Sequence, residues 1–129
     1  MVKSKKKILI VEDEAILRET LEEKFSHENF IVHTAPDGAV GCKLALELHP
    51  DIILLDLIMP KMDGMEVLKK LRSDNWGSHA RVIILTNVNN ADKVAEGLKI
   101  GGGEPYDYLI KTDWSLDDVV KKVKEKLKR

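Results

Sequence analysis

Asp51-Ile52-Ile53-Leu54-Leu55-Asp56-Leu57-Ile58-Met59-Pro60 sets an apolar run between two aspartates and places a turn behind it. A short apolar run bounded by turn signals fits a strand buried on both faces. Asp56 then stands at the strand's C-terminal end, where open α/β sheets bind their ligands. A carboxylate withdrawn from water there is costly unless a cation or hydrogen bonds compensate it. Those groups have to come from the rest of the chain.

Upstream, Ile8-Leu9-Ile10-Val11 predicts a first strand that begins near Lys6 and ends at Glu12-Asp13-Glu14. Ile16, Leu17, Leu21 and Phe25 follow at helical spacing and predict a helix to about His27. Phe30 to Ala35 reads as a shorter second strand. Pro36-Asp37-Gly38 is a turn in which Asp37 caps a second helix. The apolar stripe of that helix is Val40, Leu44, Ala45 and Leu48, with Cys42 as a small buried or half-buried residue. Pro50 separates it from the central strand, Ile52 to Asp56.

Downstream, Pro60-Lys61-Met62-Asp63-Gly64 is a loop before a third helix with Val67, Leu68 and Leu71 on one face. Asn75-Trp76-Gly77-Ser78 breaks that helix, and Arg81 to Thr86 is the fourth strand. Asn89-Asn90 opens a fourth helix with Ala91, Val94, Ala95 and Leu98 inward. Gly97 inside it costs about 1 kcal/mol relative to alanine, which makes it the weakest helix. The loop Gly101-Gly102-Gly103-Glu104-Pro105 leads to a fifth strand, Tyr106 to Ile110, ending at Lys111. Ser115 and Asp118 form a capping box and Trp114 and Val119 a hydrophobic staple for the last helix. Its stripe is Leu116, Val119, Val120, Val123 and Leu127.

The pattern is βα five times over. Strands alternating with helices imply a parallel sheet covered on both faces, and right-handed crossovers leave few topologies. The expected fold is α/β: a flavodoxin-like (βα)5 three-layer sandwich whose five-stranded parallel sheet has the order 2-1-3-4-5. Its site falls at the switch point between strands 1 and 3.

The 129 residues fit one domain with a real core. Apolar residues make up 43% and charged residues 33%, the balance of a soluble globular chain. A net charge of -1 gives no global field toward nucleic acid or membrane. The charge is uneven: Lys3, Lys5, Lys6 and Lys7 crowd the start, and Lys121, Lys122, Lys124, Lys126, Lys128 and Arg129 the end. These runs read first as a solvated tail and a solvated helix face, and secondarily as a docking surface. Cys42, the sole cysteine, allows no internal disulfide. No run reaches the roughly 18 apolar residues of a membrane span. A cytoplasmic protein is expected, with no membrane insertion and no direct nucleic-acid contact.

On this topology Glu12 and Asp13, Asp56, Thr86 and Lys111 converge on one edge of the sheet. Carboxylates about 4 Å apart repel by roughly 1 kcal/mol in water and about 4 kcal/mol at an effective dielectric of 20. A divalent cation relieves that, and Mg²⁺ takes one or two carboxylates, waters and phosphate oxygens. A metal, a lysine and a hydroxyl round a central carboxylate nucleophile suit phosphoryl transfer onto Asp56. His27, His33, His49 and His79 lack metal-ligand spacing, and Gly101-Gly102-Gly103 follows a helix instead of opening one.

With these residues in place, the sequence resembles the response-regulator receiver domain of two-component signalling, in its stand-alone, chemotaxis-receiver-like form. The matching pieces are Val11-Glu12-Asp13-Glu14, Leu54 to Gly64, Ile83-Ile84-Leu85-Thr86 and Asp107-Tyr108-Leu109-Ile110-Lys111. The resemblance implies a single receiver domain over 1–129 without an effector domain. It implies that Asp56 accepts the phosphoryl group and that Asp13, Asp56 and the Ile58 carbonyl bind Mg²⁺, with Glu12 acting through water. Thr86 would bond the phosphoryl group, Lys111 would pair with it, and Tyr108 would be the aromatic that moves on activation. The implied partners are a sensor histidine kinase or histidine phosphotransfer protein and a downstream protein target. The latter would read the face of the fourth helix, fifth strand and last helix, as monomer or phosphorylation-dependent dimer. The chain would catalyse only its own phosphotransfer and dephosphorylation.

Some positions depart from the family. Thr112 stands where a proline is usual, the segment from Gly101 to Tyr106 is long, and Asn87 stands where a small residue is common. Ile58 and Val88 are apolar and cannot orient a hydrolytic water, which predicts slow self-dephosphorylation. A degenerate receiver acting as a phosphorylation-independent scaffold is the alternative, but the acids are intact. An aspartate-nucleophile phosphatase usually needs an acid two residues after the nucleophile, where Ile58 stands. A flavodoxin-like electron carrier needs a phosphate-binding loop where Glu12-Asp13-Glu14 stand.

Overall fold

The computed structural model describes residues 5–57, 59, 62–86, 107–110 and 115–128; for residues 86 and 107–110 it describes the backbone. The element order is β1 (Lys7–Val11), α1 (Ala15–His27), β2 (Ile31–Ala35), α2 (Gly38–Leu48) and β3 (Ile52–Asp56). Then come α3 (Gly64–Arg72), a short 3-10 turn (Gly77–His79), β4 (Val82–Thr86), β5 (Asp107–Ile110) and the C-terminal helix (Leu116–Leu127). All strand pairs are parallel and the sheet order is β2-β1-β3-β4-β5, as expected. The expected fourth helix, Gly97, the Gly101–Pro105 loop, Thr112 and Trp114 lie outside the described residues.

β3 is buried along its whole length, which a central strand covered on both faces requires. Its alternating side chains feed two cores. Ile53 and Leu55 pack with Leu9, Val11, Val67, Leu68 and Leu71 on the α2–α3 side. Ile52 and Leu54 pack with Ile8, Ile10, Leu21, Phe25 and Val123 on the side of α1 and the C-terminal helix. β2 lies at the sheet edge, and Ile31 is accordingly exposed.

Asp37 caps α2 by accepting from the Val40 amide at 2.9 Å, and Ser115 and Asp118 form the expected reciprocal box. Three expectations need correction. Ile16 is 82% exposed. Leu17, Leu21 and Phe25 stack at four-residue intervals, and Ile16 stands roughly 100° round the helix from Leu17 and farther from Leu21 and Phe25. In α2 the buried residues are Gly38, Gly41, Cys42 and Ala45, whereas Val40 is exposed and Leu44 and Leu48 are half-buried. This helix approaches the sheet too closely for large side chains: a Cβ on Gly41 would stand 2.7 Å from Val11 Cγ1. Finally, Lys126 is 1% exposed and is not part of a solvated face. It lies three residues after buried Val123, on the inner face of its helix, where a lysine stem can pack.

Cys42 is buried, and burial pushes its thiol up from its ordinary value, which makes it a packing residue and not a nucleophile. Trp76 packs against the core and stacks on His49 at 4.4 Å between ring centroids. Two ion pairs tie α1 to the C-terminal helix, Lys24 to Asp117 and Glu28 to Lys124, both at 2.8 Å. Among the described residues no helix is long and apolar enough to cross a membrane.

Candidate functional site

The sheet register places the strand ends. Val11 is level with Leu55, so Glu12 follows beside Asp56. Asp56 is level with Leu85, so Thr86 ends β4 one residue beyond it. Thr86 is in turn level with Ile110. Parallel strands bring these ends to one edge.

Glu12, Asp13 and Asp56 meet there, and each offers an oxygen within 4.8 Å of the others. Glu12 is fully buried and Asp56 is 5% exposed, while Asp13 faces solvent. The local chain holds them in position. The Glu12 amide donates to the Ala35 carbonyl at 3.0 Å, extending the β1–β2 ladder past β1. The Glu14 amide donates to the Glu12 carboxylate at 3.3 Å. Arg18, one turn into α1, donates to the Glu12 carbonyl at 2.9 Å and the Asp13 carbonyl at 3.4 Å. It both fixes the acidic turn and brings a cation beneath it. Sequence reasoning missed Arg18, because its signal, a cation at helical spacing behind the acids, is indistinguishable from an ordinary surface arginine.

A second omission is the pair that shapes the segment after Asp56. The Asp63 carboxylate accepts from the Glu66 amide at 3.0 Å and starts α3. The Gly64 amide donates to the Leu57 carbonyl at 2.8 Å and folds the segment back onto β3. A Cβ at Gly64 would stand 2.3 Å from the Asp56 carbonyl oxygen and 2.7 Å from Leu57 Cα. Only glycine fits a backbone approach this close. Asp63-Gly64 was legible as a turn, but not as a contact with the peptide of Asp56 itself.

Of the other expected site residues, Thr86 and Tyr108 are placed by backbone only, at the end of β4 and opposite Ile84 in β5. Ile58, Asn87, Val88 and Lys111 lie outside the described residues.

Three carboxylates this close fit a hard divalent cation. Carboxylates this close repel one another, and two of the three are withdrawn from the water that would screen them. An all-oxygen donor set with an exposed member suits an ion that retains several waters, as Mg²⁺ does.

Residues 8–124 match the family described as the response regulator receiver domain. Over 122 residues the chain is 37% identical to the response regulator ArlR of Staphylococcus aureus, covering 95% of this chain and 52% of that protein. It is 35% identical over 113 residues to the regulatory protein AtoC of Escherichia coli, covering 88% of this chain and 23% of that protein. The receiver domain of a Francisella response regulator superposes with a TM-score of 0.82 at 31% identity, over 96% of this chain and 98% of that one. The chain thus spans about half, or less, of the curated relatives it matches. The carboxylate cluster lies at the edge of a 2-1-3-4-5 sheet, and the family match runs through every described strand. The chain belongs to the response regulator receiver domains of two-component signalling.

Proposed function

We propose that this receiver takes a phosphoryl group onto Asp56 from a phosphohistidine of a sensor histidine kinase or histidine phosphotransfer protein. The observation that carries the reading is the convergence of Glu12, Asp13 and Asp56 oxygens within 4.8 Å at the C-terminal edge of the sheet. In the transfer the phosphorus–nitrogen bond of the donor breaks, an oxygen–phosphorus bond forms at Asp56, and the departing imidazole nitrogen takes up a proton. Asp13, Asp56 and the Ile58 carbonyl would hold Mg²⁺, with Glu12 acting through water, and the bound ion would supply charge neutralisation for the equatorial oxygens. Arg18 keeps the Glu12–Asp13 peptide in place, and Gly64 keeps the segment after Asp56 folded against β3. Thr86 and Lys111 serve as hydrogen-bond donor and counter-charge to the phosphoryl group.

Phosphorylation replaces the single carboxylate charge of Asp56 with about -1.5 to -2 charges beside two other acids. The change is read on the face formed by the fourth helix, β5 and the C-terminal helix, with Tyr108 as its moving aromatic, by a downstream protein in the cytoplasm. The chain acts as one receiver unit, as a monomer or a phosphorylation-dependent dimer, and catalyses only its own phosphotransfer and dephosphorylation.

The test is intact mass after incubation with Mg²⁺ and a small-molecule phosphodonor. A phosphate-sized gain in the wild type, absent in Asp56→Asn and in chelator, supports the reading. No gain, together with no binding of a beryllium fluoride mimic, refutes it and leaves a phosphorylation-independent scaffold.

A further inference from the structure

The two lysine runs at opposite ends of the sequence meet in the fold. Lys5 and Lys6 precede β1, and Lys124 and Lys128 lie on the last turns of the C-terminal helix and just beyond it. All four rim one hollow of about 330 Å³ floored by Phe30 and Leu127. The hollow sits at the N-terminal edge of the sheet. The five-residue strand β1 separates it from the acidic cluster, a span of roughly 17 Å.

The lysines exceed what the local structure requires. Two helices end here, α1 at His27 and the C-terminal helix at Leu127. Each C-terminus is equivalent to roughly half a negative charge. Glu28 adds one carboxylate to the wall, already paired with Lys124 at 2.8 Å and with Lys24 at 3.9 Å. Four cations against about two units of negative charge leave a net positive rim round an apolar floor.

We propose that this hollow is a docking site for an acidic segment of a partner protein that inserts one apolar side chain between its carboxylates. The observations favour a peptide over a nucleic acid. Phe30 is 8% exposed and packs edge-on against Phe25 at 5.2 Å, so it offers no open ring face for base stacking. Glu28 in the wall opposes a continuous phosphate backbone, whereas carboxylates spaced along a peptide can straddle it. Because the hollow lies at the pole away from Asp56, a partner bound there leaves the acidic edge open. It therefore acts as a tether whose occupancy does not depend on phosphorylation.

The probe is a fluorescently labelled ten-residue peptide of aspartates and glutamates flanking a central leucine, titrated against the full chain by anisotropy at low salt. Binding is expected, weakened by salt as exposed charges are screened. It is expected to fall at least tenfold in Lys5→Glu/Lys6→Glu/Lys128→Glu, and to be unchanged in Lys69→Glu and in Asp56→Asn. A Leu127→Ser variant and a peptide with serine in place of its leucine should each weaken it severalfold. Circular dichroism of the charge-reversal variants confirms that they fold. The proposal is overturned if the wild type does not bind, or if the triple reversal binds as well as the wild type. It is equally overturned if the leucine-free peptide or a single-stranded DNA oligonucleotide binds as tightly.

Discussion

Replacing Asp56 with asparagine should make the metal-free protein more stable, although the residue is central and buried. Glu12 and Asp56 present oxygens within 4.8 Å, and neither is screened by bulk water. At an effective dielectric of 20, two like charges at that distance repel by about 3 kcal/mol; in water the figure is about 1 kcal/mol. Asparagine keeps the shape and half of the acceptor capacity while removing the charge. A net gain of about 1–2 kcal/mol is expected in chelator, or roughly 3–8 °C in Tm for a domain of this size. Mg²⁺ should reverse the order. At a hundred times its Kd a ligand stabilises the folded state by about 2.7 kcal/mol, and this gain should belong to the wild type and be largely lost in the variant. The assay is urea unfolding followed by fluorescence and circular dichroism, with and without Mg²⁺. Glu47→Gln, on the exposed side of α2, is the control and should shift neither curve. An Asp56→Asn protein less stable than wild type in chelator, or equally stabilised by Mg²⁺, would falsify the account of a cluster strained by its own charge.

Gly64→Ala should cost about 1–3 kcal/mol, because its Cβ would meet the Asp56 carbonyl at 2.3 Å; phosphorylation of Asp56, followed by intact mass, should slow in the same variant. Ser115→Ala removes one half of the capping box and should lower stability by about 1 kcal/mol, seen as a lower urea midpoint at unchanged slope. The ion pairs between α1 and the C-terminal helix make stability depend on pH. Hydrogen bonds from Lys124 and Lys24 hold the Glu28 and Asp117 carboxyls below their ordinary values of 4.5 and 3.8. The unfolded chain therefore takes up those protons first, so the contribution is present above those ordinary values and is lost as pH falls through the lowered folded ones. Lys24 is raised from 10.5, chiefly by its hydrogen bond to Asp117, and its contribution is lost as pH rises through the raised value. Unfolding at pH 3 and pH 6 should differ less in Lys24→Met than in wild type, and the difference should shrink in high salt.

The strands were legible because their signal is dense. β3 runs from Ile52 to Asp56 as the apolar run and its bounding aspartates indicated, and Glu12, Asp13 and Asp56 followed from asking where parallel strands end. Helix faces were less legible. Spacing shows which side chains share a face but not how near the neighbouring layer stands. Val40 was therefore read as core in α2, where Gly41 and Cys42 are the residues that fit. Ile16 was misplaced because it adjoins the buried stripe in sequence but not round the helix. Lys126 was hidden by its charged neighbours, since residue type outweighed its position in line with Val123. Arg18 and Gly64 act through the backbone of other residues, and such contacts exist only once the chain has folded.

The close packing of α2 bears on how a signal can leave the site. A Cβ on Gly38 would stand 1.8 Å from the Met62 carbonyl oxygen, so the start of α2 abuts the segment that follows Asp56. Gly64 seals the other end of that segment against β3. A new charge at Asp56 would therefore meet closely packed backbone at the starts of α2 and α3, which would act as an anvil. Should Asp56 take up the proposed phosphoryl group, its displacement is expected to run across the sheet toward β4 and β5, away from the helices that brace this flank.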